Sequence, residues 1–191
     1  KNGIMFKTAV SLEETGKMQI VALDKTGTIT SGEPRVTDVL PAEGVPAEEL
    51  LHAAGILEQK SEHPLAKAVL AYVKEQAGAK AQSGGKRASA AGGASGGADG
   101  LEDMLTDFMA LPGNGLTGVR DGRRLYGGNL IFIEQHVKVP DAMKRQAEQL
   151  AMQGKTPLFF AKDEKLLGVI AVADVIKEDS PRAVAELQSR Q

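Results

Sequence analysis

The residues best suited to chemistry follow an apolar run near the beginning of the chain. Residues 20–23 (IVAL) precede Asp24, and residues 25–30 (KTGTIT) follow it. The run predicts a strand buried on both faces of a parallel sheet, with Asp24 at its carboxyl end, where open α/β sheets place ligands. A carboxylate there could attack a phosphoryl group, help to hold Mg²⁺, or do both. A lone Asp-Lys-Thr turn would only cap the strand, and the longer polar pattern favours chemistry.

A second informative segment is Ser61-Glu62-His63-Pro64-Leu65-Ala66. His63 precedes a proline that predicts the first turn of a helix, so its ring could cap free backbone amides there. A flat polar ring could also cover a flat ligand and still offer a hydrogen bond.

Two glycine motifs follow, Gly113-Asn114-Gly115 and Gly127-Gly128-Asn129. Each is compatible with a simple turn, and Asn129 is also a good helix cap. Glycine would equally let the backbone run close beside a ligand. A third polar segment contains Asp174, a carboxylate that would end a strand before a helix.

Taken in this order, the motifs resemble those of the P-type ATPases, the ion pumps that form an aspartyl-phosphate, and in particular the heavy-metal pumps. The resemblance implies that Asp24 attacks the γ-phosphate of ATP, with Lys25, Thr26 and Thr28 in the catalytic loop. It implies that Asp24 and the carbonyl of Thr26 contribute to a Mg²⁺ site. The related haloacid dehalogenase-like phosphatases usually carry a second aspartate at the place of Thr26, so the phosphoenzyme here is expected to persist.

The same resemblance implies an ATP site in which His63 lies against the adenine ring and Glu62 accepts from its amino group. The remaining residues that it assigns to the nucleotide are Gly113, Gly115, Gly128, Asn129 and Asp174. The cofactors implied are ATP and Mg²⁺. The later active-site motifs of the family are absent from the sequence, so we expect this chain by itself to turn over slowly or not at all.

The resemblance further implies the cytoplasmic catalytic part of an integral membrane transporter, whose metal ion is bound elsewhere in a longer protein. Copper is the first expectation, and a zinc or cadmium pump is the alternative. Two rivals belong to other classes: a soluble haloacid dehalogenase-like phosphatase and a nucleotide-binding module without chemistry. Thr26 disfavours the phosphatase, and the intact Asp24 motif disfavours the module.

The composition of the chain limits the kinds of partner and binding site that we expect. The 191 residues carry a formal net charge of -2, which gives no reason to expect a nucleic acid partner. The absence of cysteine excludes disulfides and thiolate metal sites. No apolar run approaches the roughly 20 residues of a membrane span. Both ends of the sequence interrupt a pattern, so a fragment is expected.

The elements that must position these residues follow from periodicity and turn signals. Strands are predicted at 3–7, 20–23, 34–40, 108–111, 116–120, 123–126, 156–161 and 166–173. Asp121-Gly122 predicts a two-residue hairpin turn between the strands 116–120 and 123–126. Helices are predicted at 8–15, where Val10 and Leu12 would face inward, and at 46–57, 64–73, 129–136, 140–152 and from 180 onward. Residues 78–100, rich in Gly, Ala and Ser, predict a mobile surface loop.

The predicted fold class is α/β. An incomplete Rossmann-like phosphorylation domain of haloacid dehalogenase type, residues 1–34 and 154–191, would be interrupted by a nucleotide-binding domain. That inserted domain, residues 35–153, would be α+β, with an antiparallel sheet and a helical hairpin. Ser31, Gly32 and Pro34 predict the hinge.

Overall fold

The computed structural model describes residues 5–83 and 105–189, which form two compact units. The larger unit comprises Glu33–Asp174, and the smaller comprises Lys1–Gly32 and Val175–Gln191. The first boundary lies close to the predicted hinge, and Gly32 has a φ of +76° there. Which functional domain each unit represents stays a prediction.

The larger unit is organised around one sheet, which has six strands in the described part of the chain. Their order is β1-β6-β5-β4-β3-β2, and the pairs from β2–β3 through β5–β6 are antiparallel. Asp121 and Gly122 close the predicted hairpin between β3 and β4 with φ values of +51° and +72°, a mirror-image turn that suits strand twist. The strands are β1 Thr30–Pro41, β2 Thr106–Leu111, β3 Gly115–Arg120, β4 Arg123–Gly128, β5 Thr156–Lys162 and β6 Lys165–Ile176.

Helices cover both faces of this sheet. One hydrophobic cluster joins α2 and α3 to one face, and another joins α4 and α5 to the opposite face. The neighbouring residues Phe159 and Phe160 divide between the two clusters, as the period of two in a strand requires. The helices are α1 Ala9–Thr15, α2 Ala47–Glu58, α3 Pro64–Ser83, α4 Leu130–Glu134, α5 Asp141–Met152 and α6 Ser180–Gln188.

The hairpin of β5 and β6 lies within the larger unit, whereas the sequence assigned residues after 153 to the flanking domain. The cause is hydrogen bonding between strands, because β5 pairs with β4 from Leu125↔Lys162 to Gly128↔Phe159. The larger unit therefore extends to Asp174. Apolar periodicity alone does not reveal which sheet a buried hairpin joins.

Two predictions for the smaller unit are wrong. Residues 20–23 form no strand, and Ile20, Val21 and Leu23 are 87%, 46% and 43% exposed. A strand buried on both faces needs paired neighbours and covering helices, and the described residues supply no strand beside it. Helix α1 is present with Thr8 as its cap, but Val10 and Leu12, predicted to face inward, are 65% and 56% exposed.

The two other differences concern segments that extend beyond the described residues. In the predicted strand 3–7, residues 5–7 are not a strand and the rest lies outside the described residues. In the predicted loop 78–100, helix α3 continues to Ser83, since Ala, Lys and Gln favour helix despite Gly78. The remainder of that loop lies outside the described residues.

Candidate functional site

An open cleft of about 570 Å³ lies within the larger unit, where the start of α3 meets the ends of β2 and β4 and the start of β3. Apolar side chains form much of its wall, which suits a flat base. Leu65, Ala66, Ala110, Leu111, Pro112, Leu116 and Leu158 line the wall. The other lining residues are Glu58, Lys60, Ser61, Glu62, His63, Gly113, Asn114, Gly115, Gly127, Gly128 and Asn129.

This cleft brings together six of the seven residues that the sequence assigned to a nucleotide. They are Glu62, His63, Gly113, Gly115, Gly128 and Asn129. They come from the α2–α3 connection, the β2–β3 turn and the β4–α4 junction. The seventh, Asp174, does not line the cleft. It is half-buried in β6, at the end of the larger unit.

His63 caps α3. Its Nδ1 accepts a hydrogen bond of 3.2 Å from the backbone N–H of Leu65, so both alternatives for this ring are compatible. In the neutral ring this bond places the proton on Nε2, because one imidazole nitrogen then accepts and the other donates. The cap therefore fixes the ring at the exposed rim of the cleft, with a donor still available to a ligand.

Glu58 is a buried carboxylate of the cleft lining that the sequence analysis did not assign to the site. It is the last residue of α2 and only 6% exposed, and burial raises the pKa of its carboxyl to about 7. Near neutral pH the group can therefore either accept or donate a hydrogen bond at the cleft wall. Its position offered a signal, because Glu58 lies four residues after buried Ala54 on the apolar stripe of α2, where a carboxylate is unusual.

Gly115 and Gly128 are required by the protein's own packing. The two residues are paired between β3 and β4. A Cβ on Gly115 would collide with the carbonyl oxygen of Gly127 and lie 2.7 Å from Cδ1 of Phe132. A Cβ on Gly128 would collide with the carbonyl oxygen of Asn114 and lie 2.7 Å from Cα of Gly115. These glycines therefore bring backbone to the cleft surface by bringing two strands together.

Asn129 ties the two glycine motifs to each other. Its Oδ1 accepts from the N–H of Phe132 at 2.8 Å, which makes it the predicted cap of α4. Its Nδ2 donates to the carbonyl of Gly113 at 3.0 Å, and its backbone N–H donates to the carbonyl of Asn114 at 3.0 Å. The side chain thus retains one amide proton, and its larger role is to order the turn that lines the cleft.

Asp24 lies in the smaller unit at the start of a wide turn, which we call the Asp24 loop (residues 24–30). The side chain of Asp24 is exposed and its Oδ1 accepts from the N–H of Lys25 at 2.8 Å. The loop turns at Gly27, whose φ is +76°. Buried Thr30 closes it, since Thr30 Oγ1 donates to the carbonyl of Lys25 at 3.0 Å and accepts from the N–H of Gly27 at 3.2 Å. Lys25, Thr26 and Thr28 are exposed around the turn.

The donor set around Asp24 fits part of a Mg²⁺ site. Mg²⁺ prefers oxygen ligands and commonly binds through one or two carboxylates, with water and phosphate completing its shell. An exposed carboxylate at Asp24 and a backbone carbonyl at Thr26 are ligands of that kind. Among the described residues no cluster of three or more His, Cys, Asp or Glu side chains could hold a metal ion.

Comparison with known proteins identifies the class. A family model for haloacid dehalogenase-like hydrolases matches residues 18–191, and the chain belongs to this family. The chain is 37% identical over 189 residues to a probable copper-importing P-type ATPase of Enterococcus hirae. It is 31% identical over 194 residues to a probable cadmium-transporting ATPase of Listeria monocytogenes. The matches cover 99% and 98% of this chain, and 22% and 24% of those proteins.

The fold leads to the same group of proteins. The crystal structure of a zinc-transporting PIB-type ATPase in its E2·Pi state matches with a TM-score of 0.64 at 28% identity, over 86% of this chain and 23% of that one. The resemblance to heavy-metal P-type ATPases and the predicted fold class are therefore confirmed. The chain spans about a fifth of the length of the curated relatives it matches. Within its described part, no helix is both long enough and apolar enough to cross a membrane.

Proposed function

We propose that this chain is the ATP-binding catalytic part of a heavy-metal-transporting P-type ATPase, on the cytoplasmic side of a membrane. The observation that carries the proposal is the cleft, because separate motifs predicted to bind one nucleotide line a single cavity. ATP is the substrate, and the metal ion and the membrane are partners of a longer protein. Copper is our proposed cargo, since several copper-transporting relatives match at 34–37% identity. The cadmium relative and the zinc-pump structure keep a zinc or cadmium pump as the alternative.

In the proposed reaction the larger unit holds the base and the smaller unit supplies the nucleophile. The adenine lies between His63 and the apolar wall, with its amino group directed at a carboxylate. Buried Glu58 joins exposed Glu62 as a candidate acceptor. A carboxylate oxygen of Asp24 then attacks the γ-phosphorus, the bond from that phosphorus to the bridging oxygen breaks, and ADP leaves with the electron pair. The carboxylate of Asp24 and the backbone carbonyl of Thr26 would be among the ligands of Mg²⁺, which would supply neutralisation of phosphate charge when bound.

Thr26 determines how long the aspartyl-phosphate lasts. A threonine cannot act as the general base that activates water at neutral pH, whereas a carboxylate can. We therefore expect γ-phosphate label to accumulate on the chain with little sustained release of phosphate. The measurement is acid-quenched labelling with [γ-³²P]ATP together with steady-state phosphate release, each against Asp24→Asn. Brisk release that depends on Asp24 would contradict the proposal and favour a phosphatase.

ATP titration followed by backbone NMR tests the binding half separately. We expect saturable shifts at Glu62, His63, Gly113, Gly115 and Gly128 in both the unchanged chain and Asp24→Asn. Shifts elsewhere, with these five positions silent, would overturn the nucleotide site. Binding without any label on Asp24 would instead describe a nucleotide-binding module.

A further inference from the structure

The Asp24 loop is held by hydrogen bonds from the segment that follows Val175, and both belong to the smaller unit. The ammonium of Lys177 donates to the carbonyl of Gly27 at 2.9 Å, and the backbone N–H of Lys177 donates to the carbonyl of Ile29 at 3.0 Å. Ser180, only 8% exposed, donates its hydroxyl to the same carbonyl of Ile29 at 2.8 Å. Three donors from one short segment therefore fix two carbonyls of the loop.

Fixing a carbonyl also orients the next amide. The C=O and N–H groups of a trans peptide lie in one plane and point in opposite directions, and the described residues contain no cis peptide. Lys177, by holding the carbonyl of Gly27, therefore directs the N–H of Thr28 to the opposite side. Thr30 does the same for the N–H of Thr26 through the carbonyl of Lys25.

The peptide that Lys177 holds is the one that most needs an anchor. Glycine is the residue with the greatest backbone freedom. A Cβ at Gly27 would meet nothing within 4 Å, so no packing on that side of its α-carbon restrains the turn. The hydrogen bond from Lys177 is thus a side-chain restraint on the position of the turn beside Asp24.

We propose that Lys177 is a positioning residue for phosphoryl transfer to Asp24, and that Ser180 is its second anchor. This inference rests on the proposed function. Amide donors that are already aimed when negative charge develops stabilise it without reorganisation, and a freely rotating peptide would lose that benefit. Loss of the ammonium should therefore slow transfer, while ATP affinity, which belongs to the cleft of the larger unit, stays constant.

The absence of cysteine permits a chemical test of the ammonium itself. Lys177 is exposed, so Lys177→Cys gives a unique accessible thiol. Reaction with 2-bromoethylamine then restores a lysine-like ammonium, and methyl methanethiosulfonate provides a matched cap without a donor. We expect single-turnover labelling from Mg·[γ-³²P]ATP to fall about tenfold in the variant and in the neutral cap, and to recover within about twofold on aminoethylation. Ser180→Ala should lower the rate less, because Ile29 keeps the backbone donor.

Two measurements separate failure of this inference from failure of the proposed function. Equal labelling rates in all forms, or a parallel loss of ATP affinity, would overturn the positioning role. If the unchanged chain takes up no more label than Asp24→Asn, the proposed function fails. The NMR resonance of the Thr28 amide then tests separately whether Lys177 positions the loop. That resonance should shift in Lys177→Cys and return on aminoethylation, and no shift would overturn the inference.

Discussion

His63 combines a structural and a proposed ligand-binding role in one ring. The acceptor nitrogen is used by the N–H of Leu65, and the rest of the ring remains at the rim of the cleft. Replacement by alanine would therefore remove the helix cap and the ring surface together. A useful variant must separate the two effects.

Asparagine at this position makes that separation, because its side-chain oxygen is a good cap and its amide has little surface for stacking. We expect His63→Asn to retain the unfolding free energy and to weaken ATP binding roughly tenfold, within the range measured for base–aromatic stacking. Isothermal titration and urea unfolding measure the two quantities.

The matched control is His52→Asn, since His52 is a histidine of the same unit that does not line the cleft. It should leave ATP affinity unchanged. An equal loss of ATP affinity in both variants, or an unchanged affinity in His63→Asn, would show that the His63 ring does not contact the nucleotide.

Glu58 makes the stability of the larger unit depend on pH. A glutamate carboxyl has an ordinary pKa of 4.5, and burial raises that of Glu58 to about 7 in the folded chain. Below the pKa that Glu58 has in the unfolded chain, the carboxyl is protonated in both states and the folded state loses no stability. As pH rises through this window, the unfolded state releases a proton that the folded state still holds, so the folded state loses stability until the folded pKa is passed.

We therefore expect the unfolding free energy to decrease between pH 4.5 and 7.5, with Glu58 contributing about 3 kcal/mol of that decrease. Glu58→Gln should remove this contribution, whereas Glu62→Gln, at an exposed position of the same cleft, should keep it. Urea unfolding of the three proteins at both pH values is the measurement. Parallel pH profiles for the unchanged chain and Glu58→Gln would contradict burial as the cause.

At the scale of elements, the contact between β3 and β4 determines what can be changed beside the cleft. Gly115→Ala introduces a collision with the backbone of Gly127 and with the ring of Phe132. We expect this single methyl group to cost about 2–3 kcal/mol, because backbone of the paired strand cannot move aside as a flexible side chain can. Thermal or urea unfolding measures the loss.

Gly78→Ala is the matched control for the same chemical change. Gly78 lies in α3, and a Cβ there meets nothing within 4 Å. It should be neutral or raise stability by up to about 1 kcal/mol through helix propensity. Comparable destabilisation by both variants would show that the close approach of β3 and β4 is not the cause.

Local signals predicted the elements of the larger unit well. Asp121-Gly122, the prolines before α2 and α5 and in the first turn of α3, and the Asn129 cap all act on neighbouring backbone, so they can be recognised without tertiary context. The sheet to which β5 and β6 belong is a long-range pairing and was not predictable from these signals. Residues 20–23 show a second limit of prediction from sequence. An apolar run can form a buried strand only where neighbouring strands are present to pair with it, and the run itself does not reveal whether they are.

The candidate site was predictable to a similar degree. His63 and the glycine motifs were identified through resemblance, and the structure added that the glycines serve strand packing. Glu58 was missed because its carboxylate carries no motif, and the signal from its place on the apolar stripe of α2 was not used. The hydrogen bond from Lys177 to Gly27 joins residues far apart in sequence, so no local pattern reveals it.

At the scale of the whole chain, the residues proposed to bind ATP and those proposed to accept phosphate lie in different units. The six-stranded sheet, both hydrophobic clusters and the entire cleft are formed by residues 30–176. We therefore expect a fragment of residues 30–176 to fold and to bind ATP with the affinity of the full chain, while taking up no phosphate. Circular dichroism, titration and labelling would measure these properties. A fragment that folds but binds at least tenfold more weakly would show that the smaller unit contributes to base recognition.

The bare peptide surface supplied by Gly115 and Gly128 has a practical consequence. Resistance to an inhibitor commonly arises when a protein exchanges a side chain that the compound touches, and here a compound resting on these two residues would touch none. Any side chain introduced at Gly115 or Gly128 would first have to push β3 and β4 apart. Compounds that lie on this surface and compete with the proposed nucleotide should thus be difficult for a cell to evade by point mutation.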